Sequence, residues 1–288
     1  MNTIFYFFVY QISRLPLSVL YVFSDFLYFL LRFVVGYRRK VIDMNLKKSF
    51  PEKSEHEIIQ IRNEFYKNFT DYLVETLKSF SISQEELDHR HTYTNLEAFK
   101  ETTDEGKDTL MMAGHIFNWE WYLGYIKHRY SDHTGAVYHK IRNPFWNEKV
   151  KQMRERMGTI NLDMKDTLRF MLKAPVEGSI TYLFVADQSP KQDASKHWIT
   201  FLNQETAVFN GFDKIARKKN MGVVFCKMRK IKRGYYHTTF ERILPEDGIA
   251  FKENEVIDQF FYKLQETIKE DPANWLWSHK RWKFKKEN

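Results

Sequence analysis

The sequence predicts an α/β fold, in which a mixed β-sheet is flanked by helices and preceded by an N-terminal membrane-anchoring helix. Three observations support this prediction. Residues 4–35 are strongly apolar, short apolar runs typical of buried strands alternate with helical patterns along the body, and 43% of the 288 residues are hydrophobic. That content is enough for a core with one appendage. We therefore expect an anchor over residues 1–36 and a single globular domain over residues 37–288.

The apolar N-terminal segment has the length of a membrane-crossing helix. From Leu17 to Val35 nearly every residue is apolar, and such a helix extends about 28 Å, close to the thickness of a bilayer core. Its polar residues recur every three or four positions and so form one stripe. The stripe consists of Arg14, Ser18, Tyr21, Asp25, Tyr28 and Arg32. We expect a single helix, spanning or steeply embedded, with this stripe against the rest of the protein or with Asp25 near Arg32; the alternative is a buried helix of a soluble domain.

The residues around this segment indicate its orientation. No basic region precedes it and no small-residue cleavage site follows it, so we do not expect a cleaved signal peptide. Arg38, Arg39 and Lys40 come directly after it. Because basic residues are enriched on the cytoplasmic side of membrane segments, we expect the globular domain to lie on the cytoplasmic face.

The first part of the body is predicted to be helical. Residues 40–80 contain a turn and cap at Pro51-Glu-Lys-Ser54, followed by an amphipathic helix over residues 55–80. A short buried strand over residues 108–113 then leads into a helix over residues 119–129.

The second part of the body alternates strands and helices. Strand-like runs occupy residues 134–138, 179–186, 221–228 and 235–241, and helical patterns occupy residues 143–158, 165–173, 210–219 and 255–270. In sheets built this way, functional groups lie at strand ends. Two ends carry candidates, Gly114-His115 and Asp187-Gln188, and we expect them to face one cleft.

The stretch from Met112 to Glu120 places an imidazole and a carboxylate five residues apart. On one helix these side chains would point about 140° apart, so they can meet only if His115 lies in the turn before the helix. Gly114 allows that turn, and Asn118 suits the start of a helix. A carboxylate that holds one ring nitrogen makes the other nitrogen a better base. We therefore expect His115 to act on a hydroxyl, with Glu120 as its partner.

The composition indicates an anionic partner. The net charge is +8 and aromatic residues make up 17% of the chain, which favours anionic lipid, a phosphorylated substrate, an acidic carrier protein or nucleic acid as the partner.

Cys226 is the only cysteine, which excludes a disulfide within the chain and a cysteine-based zinc site. Because Cys226 lies in a strand-like run, we expect it to pack rather than react. A Gly-x-Ser-x-Gly elbow and a His-Glu-x-x-His motif are both missing from the sequence, which disfavours serine and zinc hydrolases.

Several motifs resemble the lipid A biosynthesis lauroyl/myristoyl acyltransferase family, a branch of the lysophospholipid acyltransferase superfamily, over nearly the whole chain. Gly114-His-Ile-Phe-Asn-Trp-Glu120 matches the family's His-x4-acid block, and its Gly and Asn-Trp make the match specific. Other matching segments are Gly36-Tyr-Arg-Arg-Lys-Val41, Asn45-Leu46, Phe50-Pro-Glu-Lys-Ser54, Tyr138-His-Lys-Ile-Arg-Asn-Pro144, Arg154-Glu-Arg-Met-Gly158, Asp187-Gln188 and Pro272-Ala-Asn-Trp-Leu-Trp-Ser-His-Lys-Arg-Trp282. The chain departs from the family at Asn203, where a glycine is common; asparagine also tolerates left-handed geometry.

The resemblance implies a glycerolipid-acyltransferase-like fold whose catalytic domain, residues 37–288, lies on the cytoplasmic face of the bacterial inner membrane. It implies O-acyl transfer from an acyl thioester, on acyl carrier protein or CoA, to a hydroxyl of a lipid acceptor, with a lipid A precursor as the expected acceptor. His115 is expected to be the general base, with Glu120 fixing its tautomer. The residues expected to bind the oxyanion or substrate are Arg154, Arg156, Asp187, Asn118 and Lys140. We expect no metal and no cofactor.

Two other interpretations stay open. The acceptor could instead be a glycerophospholipid, an amino-acid lipid, or a polyene or aryl lipid. A non-enzymatic alternative is a basic protein that binds nucleic acid or anionic membranes. Binding to nucleic acid leaves the apolar N-terminal segment unexplained, so we expect no nucleic-acid partner.

Overall fold

The computed structural model describes residues 2–128, 133–174, 176–178, 180–191 and 196–286. Within these residues the predicted α/β architecture is confirmed. The α-helices are α1 (Asn2–Ser13), α2 (Leu17–Phe29), α3 (Arg39–Ser49), α4 (Glu55–Lys78), α5 (Gln84–Arg90), α6 (Glu97–Asp104), α7 (Pro144–Glu155), α8 (Met164–Lys173), α9 (Gly211–Lys218) and α10 (Glu255–Glu270). The strands are β1 (His91–Thr94), β2 (Thr109–Ala113), β3 (His133–Tyr138), β4 (Thr159–Asp163), β5 (Ile180–Val185), β6 (Lys196–Phe201), β7 (Gln204–Phe209), β8 (Gly222–Lys232) and β9 (Tyr235–Ile243).

The described strands form a mixed sheet and a separate hairpin. The sheet has the order β1-β9-β8-β2-β5-β3-β4, and every neighbouring pair is parallel except β8 with β9. Strands β6 and β7 pair only with each other. The central strand β2 is buried along its whole length, as expected for a strand with parallel neighbours and helices on both faces. Because β2, β5 and β3 run in the same direction, their carboxyl ends meet at one edge of the sheet.

Local sequence explains where the helices that border this edge begin. Ser54 caps α4 through a reciprocal pair of hydrogen bonds with Glu57. The Asn143 side chain accepts from two backbone N–H groups at the start of α7, where Pro144 occupies a position that needs no N–H donor. These caps fix the first residues of α4 and α7.

The N-terminal segment differs from the single helix that we expected. Pro16 separates α1 from α2, because proline excludes the preceding residue from helical geometry and lacks an N–H donor. The second helix then ends in a π-helical turn, Leu30–Val34. The segment therefore consists of two helices joined at a bend.

Part of the predicted polar stripe faces the rest of the protein. The Tyr21 hydroxyl donates to Glu75 of α4 over 2.8 Å, and Arg32 donates to the side chain of Asn63, also on α4. Asp25 pairs with a residue of the β8–β9 turn, Arg233, and not with Arg32. The predicted orientation is confirmed for Tyr21 and Arg32, whereas Arg14, Ser18 and Asp25 are exposed.

The opposite side of the two N-terminal helices exposes apolar side chains. The span Leu17–Val34 is long and apolar enough to cross a membrane, and 17% of it is buried. The exposed apolar residues of this surface, named here the apolar face, are Ile4, Phe5, Phe7, Phe8, Ile12, Val19, Val22, Phe23, Phe26, Phe29, Phe33 and Val34. A surface of this size and composition is typical of contact with lipid or with another apolar surface.

Several other elements differ from the prediction. Strands β1 and β4, helices α5 and α6 and the β6–β7 hairpin had not been predicted. The helix expected over residues 119–129 is a 3-10 helix, Trp119–His128, and residue 129 lies outside the described residues, as does residue 179 of the expected strand. The expected left-handed turn is confirmed, with φ values of 48° at Leu202 and 61° at Asn203.

Candidate active site

The carboxyl ends of β2 and β5 bring two loops together. These strands are parallel neighbours, with Ala113 opposite Val185. His115 lies just beyond the first of these positions and Asp187 just beyond the second. The two loops therefore meet at the edge of the sheet, as expected for groups that follow adjacent parallel strands.

Asp187 binds His115 through both of its carboxylate oxygens. Nδ1 of His115 lies 2.5 Å from Oδ1, and the backbone N–H of His115 donates to Oδ2 over 2.9 Å. Burial would raise the pKa of Asp187, but His115 and the indole N–H of Trp275 outweigh it and hold the pKa at about 2. An ionised carboxylate at Nδ1 keeps the ring proton there and leaves a lone pair on Nε2, which is the tautomer that a general base needs.

The free side of the imidazole meets Gln188. The Gln188 amide nitrogen lies 3.0 Å from Nε2 of His115 and donates to it. Both side chains line the same cavity. The amide N–H therefore stands where a hydroxyl would have to stand in order to give its proton to Nε2.

Glu120 binds Arg154 and not His115. Nε and Nη2 of Arg154 donate to the two Glu120 oxygens over 3.1 and 2.7 Å, which makes a bidentate pair. Burial lowers the pKa of Arg154, but Glu120 more than compensates and the net change is a rise. The expectation that Glu120 fixes the tautomer of His115 is therefore wrong, because Asp187 occupies Nδ1 and a guanidinium occupies the Glu120 oxygens. His115, Glu120 and Arg154 all line one cavity, together with Gln188 from the second strand end.

A cavity of about 450 Å³ opens beside these groups. Polar and charged side chains line one part of it, including His115, Glu120 and Arg154. Its apolar walls include Ala136, Val137, Leu183, Phe184, Phe209 and Phe212. A mainly apolar cavity with a few convergent polar groups suits a ligand that carries both a reactive polar centre and a hydrocarbon chain.

Two of the residues expected to bind substrate lie elsewhere. Arg156 is exposed, and its Nη2 donates to the Ser79 and Ile82 carbonyls beyond the end of α4. Lys140 is exposed and pairs with Asp163 over 2.8 Å, which raises the pKa of Lys140. Neither residue is among the described residues that line the cavity, so the structure does not bring them to it as expected.

Asn118 supports the loop from its buried side instead of contacting the cavity. Its Nδ2 donates to Glu75 over 3.0 Å, and the same carboxyl accepts from the hydroxyls of Tyr21 and Tyr236. Burial raises the pKa of Glu75 to about 7, although these three neutral donors oppose the rise. The expected substrate contact of Asn118 is thus replaced by a link between the His115 loop and α4.

The loop that carries His115 is held in a strained conformation. Phe117 has a φ of 44°, in the left-handed region that bulky residues avoid. Its N–H donates to the carbonyl of Asn274 over 2.9 Å, and Ile116 forms a β-bridge with Trp275. The segment that follows α10 therefore compensates the strain and fixes the loop.

Cys226 lies within β8 and has no exposed surface. Burial raises the pKa of its thiol well above the ordinary range. The expectation that Cys226 packs rather than reacts is confirmed by this position.

Two comparisons with known proteins bear on this site. A family described as bacterial lipid A biosynthesis acyltransferase matches residues 2–284. The matched range includes both N-terminal helices, all the residues discussed above and the segment that holds the His115 loop. A search among curated proteins finds no match to the chain.

Proposed function

The chain belongs to the bacterial lipid A biosynthesis acyltransferase family, and from this premise we propose that it moves a fatty acyl group from an acyl thioester to a hydroxyl of a lipid acceptor. The observation that carries this proposal is the Asp187–His115 pair, whose second ring nitrogen, Nε2, faces a mainly apolar cavity. We assign His115 as the general base and Asp187 as the carboxylate that orients it. Residues 37–288 are proposed as the catalytic domain.

The chemistry requires one proton to move twice. As the acceptor oxygen attacks the thioester carbonyl, its proton passes to Nε2 of His115, and Asp187 stabilises the resulting imidazolium. The tetrahedral intermediate then collapses, the carbon–sulfur bond breaks, and the imidazolium returns the proton to the departing sulfur. The products are an ester and a free thiol, and His115 regains its starting form.

The developing oxyanion needs hydrogen-bond donors inside the cavity. Arg154 is the proposed main donor, because its guanidinium lines the cavity and Glu120 fixes the direction of its N–H groups. The Gln188 amide is the proposed second donor, since an arriving hydroxyl displaces it from Nε2. Losing one such donor typically costs about 10²–10³-fold in kcat.

The cavity walls are proposed to hold the acyl chain. Leu183, Phe184 and Phe212 belong to an apolar wall beside the proposed base. Burial of a methylene group contributes about 0.8 kcal/mol, so a chain held along this wall gains binding free energy at each carbon.

The apolar face is proposed to rest on the membrane surface. Helix α2 is bound to α4 by Tyr21 and Ser24, which donate to the buried carboxylates Glu75 and Asp71. A helix tied along one side to a water-exposed helix of the same domain fits a position in the interface better than a transmembrane one. This favours embedding in the cytoplasmic face of the inner membrane. Flotation with vesicles that contain anionic lipid tests the proposal, and protein that remains at the bottom of the gradient would contradict it.

The donor and the acceptor are proposed by class. An acidic acyl carrier protein suits the net charge of +8, with CoA as the alternative thioester. The family assignment favours a lipid A precursor as the acceptor. A glycerophospholipid, an amino-acid lipid, and a polyene or aryl lipid remain alternatives for the same chemistry.

An acyl-transfer assay tests the function. The purified protein in mixed micelles is incubated with an under-acylated lipid A precursor and with acyl carrier protein or CoA that bears a labelled chain. We expect ester formation, and we expect His115→Ala to lower kcat/KM by about 10²–10⁴-fold because the general base is lost. His197→Ala is the matched control, since His197 pairs with Asp258 near the surface and does not line the cavity.

Two results would change this assignment. A folded His115→Ala protein with an undiminished rate would remove His115 as the base. Mass spectrometry of lipids from cells with and without the gene names the acceptor, and a gene-dependent ester on a different lipid would replace the lipid A precursor.

A further inference from the structure

The segment after α10 supplies a group to the Asp187–His115 pair. The indole Nε1–H of Trp275 donates to Oδ2 of Asp187 over 2.5 Å, and both side chains are buried. We propose that Trp275 is a positioning residue, whose N–H fixes the rotation of the Asp187 carboxylate so that Oδ1 faces Nδ1 of His115. This proposal rests on the proposed function, because it concerns the same general base.

Three hydrogen-bond donors fix the orientation of the Asp187 carboxylate. Oδ2 accepts from the backbone N–H of His115 and from Trp275, while Oδ1 accepts from Nδ1 of His115. The indole is the one donor of these three that does not belong to His115. Without it, Oδ2 keeps the backbone N–H of His115 but loses its only donor from outside the His115 loop among these three, so the rotation of the carboxylate is less tightly fixed.

The indole is itself fixed relative to the imidazole. Ile116 and Trp275 form a β-bridge, and the Leu276 N–H donates to the carbonyl of His115 over 3.2 Å. The Phe117 N–H donates to the neighbouring Asn274 carbonyl. The backbone of the C-terminal segment is therefore bound directly to the backbone of the His115 loop. These contacts keep the indole N–H directed at Asp187.

A purely structural role for Trp275 is the competing explanation, because its rings also fill space. The Trp275 ring packs edge-on against Trp277, with centroids 4.8 Å apart, and against Phe201 at 5.7 Å. Phenylalanine at position 275 retains most of this contact but cannot donate a hydrogen bond. The exchange therefore separates the hydrogen bond from the packing.

Loss of the indole N–H is also expected to change how tightly His115 holds its proton, in a direction that can be predicted. A donor at Oδ2 withdraws negative charge from the carboxylate, so its removal strengthens the attraction of Asp187 for the imidazolium of His115. The proton is then held more tightly, and the acid limb of the pH profile of kcat/KM moves to higher pH. Among the described residues, the other titratable groups that interact electrostatically with Asp187 are Tyr122 on the 3-10 helix, and His279 and Arg281 on the C-terminal segment. All three are unchanged by the substitution.

The test compares three tryptophan substitutions in the full-length protein. Trp275→Phe is expected to lower kcat by about ten- to a hundredfold, to leave KM within about twofold, and to move the acid limb to higher pH. Trp277→Phe and Trp282→Phe are the matched controls, because their indoles donate to the Pro272 carbonyl and the Thr206 hydroxyl instead. Both controls are expected to keep the wild-type pH profile.

The possible outcomes separate this proposal from the proposed function. A folded Trp275→Phe protein with wild-type kcat and pH profile overturns the positioning role, while loss of activity in His115→Ala still supports the base. Full activity in His115→Ala overturns the function itself. If Trp275→Phe does not fold, benzothienylalanine at position 275, which has the shape of tryptophan with sulfur in place of N–H, gives the same comparison, and an unchanged pH profile again overturns the role.

Discussion

Asp187 and Glu75 are both fully buried carboxyl groups, yet their pKa values move in opposite directions. The pKa of Asp187 is held at about 2, whereas the pKa of Glu75 rises to about 7. Burial acts on both in the same sense, and each accepts three hydrogen bonds. The difference is that Asp187 faces an imidazole that can carry positive charge, while Glu75 accepts hydrogen bonds only from neutral hydroxyl and amide groups and lies near a second carboxylate, Asp71, which also raises its pKa.

This comparison shows how one fold uses buried carboxyls for two purposes. Beside the cavity, an ionised carboxylate is available to stabilise charge that appears on His115. Beneath the same loop, a carboxyl that readily holds a proton joins Tyr21 of α2 to Asn118 of the loop. The identity of the partner, and not the depth of burial, decides which purpose each group serves.

Replacement of Asp187 is expected to have the largest effect. Asp187→Asn keeps the shape of the side chain but removes its charge, so kcat should fall by about 10³-fold or more. The acid limb of the pH profile should move to lower pH, because the imidazolium loses its counter-ion; Trp275→Phe moves it the opposite way. Steady-state kinetics from pH 5 to 9 measures both quantities. Unchanged kinetics in a folded Asp187→Asn protein would mean that the charge of Asp187 plays no part.

Replacement of Glu75 is expected to change stability, with a sign that depends on pH. The folded state holds a proton that the unfolded chain releases above its ordinary pKa of 4.5, so Glu75 contributes stability below that pH and loses it as the pH rises to about 7. Glutamine mimics the protonated form. Glu75→Gln should therefore be more stable than the wild type at pH 8, by up to about 3 kcal/mol, and similar to it at pH 4.5.

Urea unfolding of the two proteins at several pH values measures this difference. Glu85→Gln is the control, because Glu85 is exposed at the start of α5. A Glu75→Gln protein that is less stable than the wild type at pH 8 would show that Glu75 is ionised in the fold.

Glu120 adds a third carboxylate to the comparison, paired with a cation that does not titrate in the working range. Glu120→Gln removes the charge that holds Arg154, and we expect kcat to fall by about ten- to a hundredfold with no movement of the pH profile. Arg154→Gln and the double variant complete a double-mutant cycle, in which the two losses should not add. A shift of the acid limb in Glu120→Gln would mean that Glu120 acts on His115 after all.

Much of the fold was predictable because the central strands carry uninterrupted apolar runs. The buried run in β2, and those in β5 and β8, allowed strand assignment from sequence alone. Strands β1 and β4 were missed because their burial depends on neighbours far away in the chain, and they expose part of their length. The bend at Pro16 was also missed, although proline is a strong local signal.

The site was predictable in position but not in its pairing. Two strand ends, at His115 and at Asp187-Gln188, were expected to face one cleft, and His115 and Gln188 do line one cavity. The true partner of His115 could not be read from spacing, because Asp187 meets it only through the parallel pairing of β2 with β5. The role of Trp275 was not predictable, since nothing local in its sequence shows that its indole reaches Asp187.

The burial of Cys226 has a consequence for the order in which substrates act. A protein with a reachable thiol could exchange it for the sulfur of the proposed donor, store the fatty chain on itself, and release the carrier before the alcohol arrives. The sulfur of this chain lies inside β8, so that route is closed. Under the proposed function, we therefore expect the acyl carrier and the alcohol to occupy the protein at the same time, so that the fatty acyl group passes directly from one to the other.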